Sequence, residues 1–166
     1  MDSKGESESA KWLSPQTTLE DVLQFAAGFE QAAFRFYRNL AERVNTEVRP
    51  LVLDLAAEEK GHTVLLRRIS RGSDVERQLG RRVVTPPSTE KFDAYVSLYD
   101  LPVRPTEEDV LVYAESREHI ACEHYGYLAQ LTPPGRLQDL FAFLRDEEKR
   151  HEAEIRARWS SMFSIF

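Results

Sequence analysis

Six residues of this 166-residue chain have the types and spacing to hold metal ions: Glu30, Glu59 with His62, Glu118, and Glu148 with His151. Each lies inside a stripe that is otherwise apolar. Val22, Ala26, Glu30, Ala33, Tyr37, Leu40 and Val44 step by three or four, the spacing of one helix face. Val52, Leu55, Glu59, His62, Leu66 and Ile69 do the same, as do Leu137, Phe141, Leu144, Glu148, His151 and Ile155. Glu58 and Glu147 are as near the histidines in sequence but fall off the stripe. Carboxylates are almost never fully buried unless paired, and four converging ones repel or take up protons. Two divalent cations remove the difficulty, because four glutamates and two neutral histidines balance them in formal charge. One Glu from each of two helices, with Glu-x-x-His from each of the other two, suits a carboxylate-bridged pair of iron or manganese ions. Zinc could substitute in a purified sample.

The chain repeats itself. Residues 18–23 read TLEDVL and residues 106–111 read TEEDVL, an offset of 88. Over residues 18–41 there are eleven identities in 24 positions, including Glu30/Glu118, Tyr37/Tyr125 and Leu40-Ala41/Leu128-Ala129. Unrelated segments would share roughly one or two at ordinary residue frequencies. A second block aligns Glu58-Glu59-Lys60 and His62 with Glu147-Glu148-Lys149 and His151 at an offset of 89. The chain is therefore two copies of a two-helix unit, and the six residues recur in register between the copies.

These blocks predict helices near 18–45, 49–71, 106–131 and 135–159. Thr18 and Thr106 are plausible caps, with Asp21 and Asp109 three residues on. Short connections around Asn45–Pro50 and Thr132–Gly135 make each pair an antiparallel hairpin. The expected fold is all-α: an antiparallel four-helix bundle of two hairpins, occupying 17–160, joined by a long crossover over 72–105. A short outer helix is expected at Phe92–Tyr99. Residues 1–16, rich in Ser and Glu, read as a disordered tail, and 161–166 as an apolar C-terminal tail that covers the bundle or a partner.

Composition narrows the partners. A net charge of −6 gives no reason to expect nucleic acid, and no apolar run approaches a membrane span. The single cysteine, Cys122, excludes a disulfide framework within the chain and a cysteine-based zinc or iron–sulfur site; it reads as an inert thiol. A cytoplasmic protein is expected. His119 and His124, which flank the third stripe, read as surface or interface residues.

Glu30 seven residues before Tyr37, then Leu-Ala, then Glu-Glu-x-x-His, with the whole repeated, resembles the rubrerythrin family of the ferritin-like superfamily over residues 18–159. The resemblance implies that Glu30, Glu59, His62, Glu118, Glu148 and His151 ligate two iron ions, with Glu59 and Glu148 in the motif that supplies bridging carboxylates. It implies that Tyr37 and Tyr125 hydrogen-bond carboxylate ligands, although both positions would equally suit ordinary core aromatics. Two departures stand out. Full-length rubrerythrins usually carry a four-cysteine rubredoxin domain, so electrons would have to come from an external donor such as a rubredoxin-like protein. They also carry an additional Glu where this chain has Ala121; Glu115, one turn before Glu118, could serve as an extra ligand or simply face solvent.

The expected activity is that of a non-haem di-iron oxidoreductase, a peroxidase or ferroxidase that reduces hydrogen peroxide or oxidises Fe²⁺ with peroxide or oxygen. A di-manganese catalase is the alternative within catalysis. A non-catalytic iron-binding, storage or sensing module is the alternative outside it. A homodimer is expected, and the long crossover would permit helix swapping.

Overall fold

The computed structural model describes residues 18–80 and 100–164, which form an all-α bundle. Its helices are α1 (Leu19–Leu40), α2 (Arg49–Ser70), α3 (Ser73–Leu79), α4 (Glu107–Leu131) and α5 (Arg136–Phe163). The closest backbone packing is within two antiparallel hairpins, α1 on α2 and α4 on α5. The expected tail at 1–16 and the expected helix at 92–99 lie outside the described residues.

The repeat is visible in the helix starts. Thr18 and Thr106 both build a capping box: each hydroxyl accepts from the backbone N–H three residues on (3.2 Å), and Asp21 or Asp109 accepts from the cap N–H (2.8 Å). α2 has no side-chain cap. It starts at Arg49, with Pro50 in its first turn, after an Asn45 turn whose Oδ1 accepts from Glu47 and Val48 N–H. Gly135, just before α5, has φ 148°, a conformation that a side chain would strain.

Three boundaries differ from the sequence expectation. α1 stops at Leu40 instead of continuing to 45. Residues 41–44 tighten into turns closed by Glu42 N–H to Asn39 and Arg43 N–H to Leu40, while Val44 stays buried. The apolar stripe therefore outlasts the helix. The region assigned to the crossover from residue 72 opens with α3, whose Val75 is buried in the same apolar cluster as Leu66 and Leu19. α5 runs on through residues 161–163 of the expected tail, with Trp159 and Met162 packed against the bundle.

Two apolar clusters fill the bundle, one at each end. The first joins the start of α1 (Leu19, Leu23), the end of α2 (Leu66), the end of α4 (Tyr125, Leu128) and the start of α5 (Leu137, Phe141, Leu144). The second joins the end of α1 (Tyr37, Leu40), the start of α2 (Val52, Leu55), the start of α4 (Val110, Leu111) and the end of α5 (Ile155). Each fully buried Leu or Val in these layers stabilises the fold by about 1.5–3 kcal/mol before entropy is counted. The chain thus leaves α2 at one end of the bundle and enters α4 at the other, as a one-crossover bundle requires. Arg43 fixes the incoming strand by donating to the carbonyls of Pro102 (2.6 Å) and Val103 (3.2 Å). Between the two apolar ends lies a layer that is not apolar at all. No described helix is long and apolar enough to cross a membrane.

Candidate metal centre

That middle layer consists of the six residues singled out in the sequence. Glu30 comes from α1, Glu59 and His62 from α2, Glu118 from α4, and Glu148 and His151 from α5. All are buried, and Glu30 and Glu148 have no exposure at all. They fall into two groups whose donor atoms lie within 4.8 Å of one another: Glu30, Glu59, His62 and Glu148, and then Glu118, Glu148 and His151. Glu148 belongs to both. Its Oε1 is 3.0 Å from His62 Nδ1, and its Oε2 is 3.4 Å from His151 Nδ1. A carboxylate reaching two imidazoles through its two oxygens has the disposition of a bridge. Glu59 Oε2 lies toward His62 alone of the two histidines, at 3.8 Å.

The donor atoms are poorly satisfied by the protein. Glu30 Oε2, Glu59 Oε2, Glu118 Oε2, both oxygens of Glu148 and His62 Nδ1 are shut off from solvent without a well-directed hydrogen bond. A buried polar atom left unpaired costs about 1–3 kcal/mol, and more when charged. Six such atoms facing one point fit a site built for cations, and the carboxylate–imidazole set fits two of them.

The protonation of the site says the same. Burial, reinforced by neighbouring glutamates, raises the Glu59 and Glu118 carboxyls well above the usual range. Burial disfavours a charged His151, yet the adjoining Glu118 and Glu148 carboxylates push it up to about 10. His62 is raised for the same reason, by Glu148, Glu30 and Glu59. Glu148, although buried, is held below the usual range by His151 and His62. Protons gather wherever the surplus negative charge would otherwise go uncompensated.

Around the six lies a shell that also follows the repeat. Tyr37 of α1 donates to Glu118 Oε1 on α4 (3.4 Å), and Tyr125 of α4 donates to Glu30 Oε1 on α1. Each tyrosine thus supports the carboxylate of the other hairpin. Sequence reasoning missed two groups here. Glu58, half-buried, places Oε2 3.3 Å from His151 Nε2, so the glutamate rejected as off-stripe on α2 backs a histidine on α5. Arg150 sets Nη2 3.0 Å from the same nitrogen and 3.1 Å from Glu147 Oε2. One ring nitrogen from each of His62 and His151 also groups with Glu147 within 4.8 Å, which places Arg150 at the outer edge of the centre. The signal available in the sequence was the doubled Glu-Glu pair itself, recurring before both histidines.

The other side chains weighed in the sequence lie outside these groups. Glu115 is drawn away: its carboxylate takes a 2.8 Å hydrogen bond from Arg156 Nε, in a surface network that also holds Glu152. It is absent from both ligand groups. His119 is exposed and paired with Glu152 at 3.2 Å, as expected of a surface residue. His124 is not a surface residue. It is buried, with its ring 5.6 Å from Phe25 and 5.6 Å from Tyr125, and burial lowers its pKa to about 3. His124 lies three residues after Ala121 and four before Leu128, so the buried α4 stripe includes it beside Tyr125. Cys122 is partly exposed, and its thiol is pushed up, chiefly by burial. A raised thiol is the less reactive form.

Comparison with known proteins agrees with the geometry. No curated protein and no solved structure matches the chain. The family model described as Rubrerythrin matches residues 21–158, which spans all four long helices and all six buried donors. The chain belongs to the rubrerythrin family.

Proposed function

We propose that this member of the rubrerythrin family holds two iron ions and acts as a di-iron oxidoreductase, reducing hydrogen peroxide or oxidising Fe²⁺ with peroxide or oxygen. The observation that carries the reading is the set of buried, unsatisfied carboxylate and imidazole atoms converging from four helices. Glu30, Glu59 and His62 would hold one ion and Glu118 and His151 the other, with Glu148 shared. When bound, such a pair supplies two one-electron donors side by side, which matches the two electrons needed to cleave a peroxide bond.

The chain's own residues would do the rest. The apolar clusters on either side exclude bulk water from the layer. Tyr37 and Tyr125 would fix the carboxylates of Glu118 and Glu30 in orientation. Glu58 is the carboxyl that reaches both the solvent side and His151 Nε2, and burial raises its pKa. It is suited to hold the Nε2 proton of His151 and so to fix the orientation of that ring. Electrons would come from an external donor such as a rubredoxin-like protein. A cytoplasmic homodimer belongs to this proposal.

The test is anaerobic reconstitution with Fe²⁺, then stopped-flow mixing with peroxide or oxygen, against a Glu59→Ala/Glu148→Ala control. About two irons per chain, oxidised rapidly by peroxide and silent in the control, is the expected result. A folded protein that takes up iron but leaves it unreactive would favour a binding or storage role. One that takes up manganese and disproportionates peroxide would favour the catalase reading.

A further inference from the structure

The two hairpins carry an arginine at corresponding places, and only one of the two has carboxylate partners. In the second half Arg156 of α5 donates from Nε to Glu115 Oε1 (2.8 Å) and from Nη2 to Glu152 Oε1 (2.7 Å). Its counterpart in the first half is Arg67 of α2. The same repeat offsets put Ala27 in the place of Glu115 and Thr63 in the place of Glu152, so both carboxylates are gone. Arg67 donates to Gln31 Oε1 (2.9 Å), and among the described residues it forms no ion pair.

Space opens where the carboxylate is missing. Arg67 lines a groove of about 470 Å³ between α1, α2 and α3, shared with the apolar side chains of Leu23, Ala27, Leu66 and Leu79. Three of the lining residues, Ala27, Gly28 and Ser70, correspond to Glu115, Ser116 and Trp159 in the second half. Each is larger there, and Trp159 packs on the apolar cluster at its own end of the bundle. Gly28 is forced neither by a positive φ nor by a neighbour, since a Cβ there would meet nothing within 4 Å. A glycine inside a helix is unfavourable relative to alanine, and here it leaves the groove open along α1. Arg71 also lines the groove, against the one carboxylate of Glu20, and neither forms an ion pair among the described residues. The lining is thus part apolar and carries a surplus of positive charge, in a chain whose net charge is −6.

We propose that this groove binds a small organic carboxylate, which meets Arg67 as the Glu115 carboxylate meets Arg156 and lays its apolar body on Leu23, Ala27 and Leu66. The second half of the chain displays the missing group in covalent form. A guanidinium fork matches a carboxylate through paired N–H donors, and apolar contact adds the affinity that an exposed ion pair alone lacks. The volume lies in the range of small-molecule sites, about 300–1,000 Å³. None of the buried metal-donor residues lines the groove, so the inference stands apart from what the centre holds.

The experiment is a titration of the isotope-labelled full chain with hexanoate, hexanol and acetate in turn, followed by NMR on the Gly28 amide and the Arg67 Nε–H. Hexanoate should shift both resonances and saturate with a dissociation constant of about 1 mM, at least about tenfold tighter than either control. Arg67→Gln should weaken hexanoate about tenfold and leave hexanol unchanged. Ala27→Glu restores the carboxylate of the second half and should weaken hexanoate by at least about tenfold, with the helical circular dichroism retained. Unchanged affinity in the folded Ala27→Glu variant overturns the proposal. Equal affinity of the wild type for hexanoate and hexanol overturns it as well, because the arginine then plays no part. Equal affinity for hexanoate and acetate does the same, because the apolar groove then plays none. These two comparisons need no variant to fold. Absence of a saturable shift up to about 20 mM hexanoate is likewise an overturning result.

Discussion

His62 and His151, 89 residues apart in the repeat, stack their rings 5.6 Å apart and 14° from parallel. Glu148 lies between them, one oxygen toward each Nδ1. A two-helix unit placed face to face with its copy brings two imidazoles to one shared carboxylate. Every prediction about the centre starts from that sharing.

Because Glu148 serves both donor groups while Glu30 serves one, their loss should differ in kind. Glu148→Gln should reduce tight Co²⁺ uptake from two per chain to none. Glu30→Gln should leave one. Both stoichiometries are read by equilibrium titration under anaerobic conditions. Equal losses from the two variants would mean that Glu148 is not a bridge.

Without cations the same layer should weaken the fold as pH rises. Glu59, Glu118, His62 and His151 all have raised pKa values, so the folded state binds more protons than the unfolded chain. Their contribution is fully present below the unfolded values and is lost as pH climbs toward the folded ones. Thermal unfolding of the apo-protein should therefore show a lower Tm at pH 9 than at pH 6. Saturation with a divalent cation should flatten the trend. Glu118→Gln should raise the apo Tm by a few degrees, roughly 1 kcal/mol, and shrink the gain on adding metal.

The tyrosines offer a graded counterpart. Tyr125→Phe and Tyr37→Phe each remove one hydroxyl that holds a carboxylate from the opposite hairpin. Each should keep two cations per chain but weaken binding by about tenfold, within the range for second-sphere partners. Loss of a whole equivalent in either would mean that the tyrosine does more than orient its glutamate.

The fold and the six donors could be read from the sequence because their signals are local and doubled. An ionisable residue in an apolar stripe violates the period of its helix, and here the violation occurs at the same place in two copies. Glu58, Arg117 and His124 were not readable in the same way. Glu58 lies on α2 and acts on α5, so its role depends on how the hairpins are paired. Arg117 sits over the Phe29 and Phe36 rings of α1, and nothing in its own helix period distinguishes it from a solvated arginine. The α1 ending was misplaced because Val44 stays in the core through a turn, where apolar spacing and helix geometry part company.

His124 gives a prediction that is independent of any cation. It is buried among Phe25, Phe29 and Tyr125, and burial holds its pKa near 3, against 6.5 for the free side chain. Between those two values the unfolded chain binds a proton that the folded state refuses. Stability is therefore undiminished above about pH 6.5 and falls as pH drops toward 3, by up to a few kcal/mol from this one group. The repeat supplies the control, since the corresponding residue in the first half is Phe36, packed against the Tyr37 and Tyr113 rings. His124→Phe should leave the Tm at pH 7.5 nearly unchanged. At pH 4.5 it should raise the Tm by several degrees over the wild type, as followed by circular dichroism. An equal shift at both pH values would show that the gain comes from apolar burial alone and that the histidine takes up no proton on unfolding.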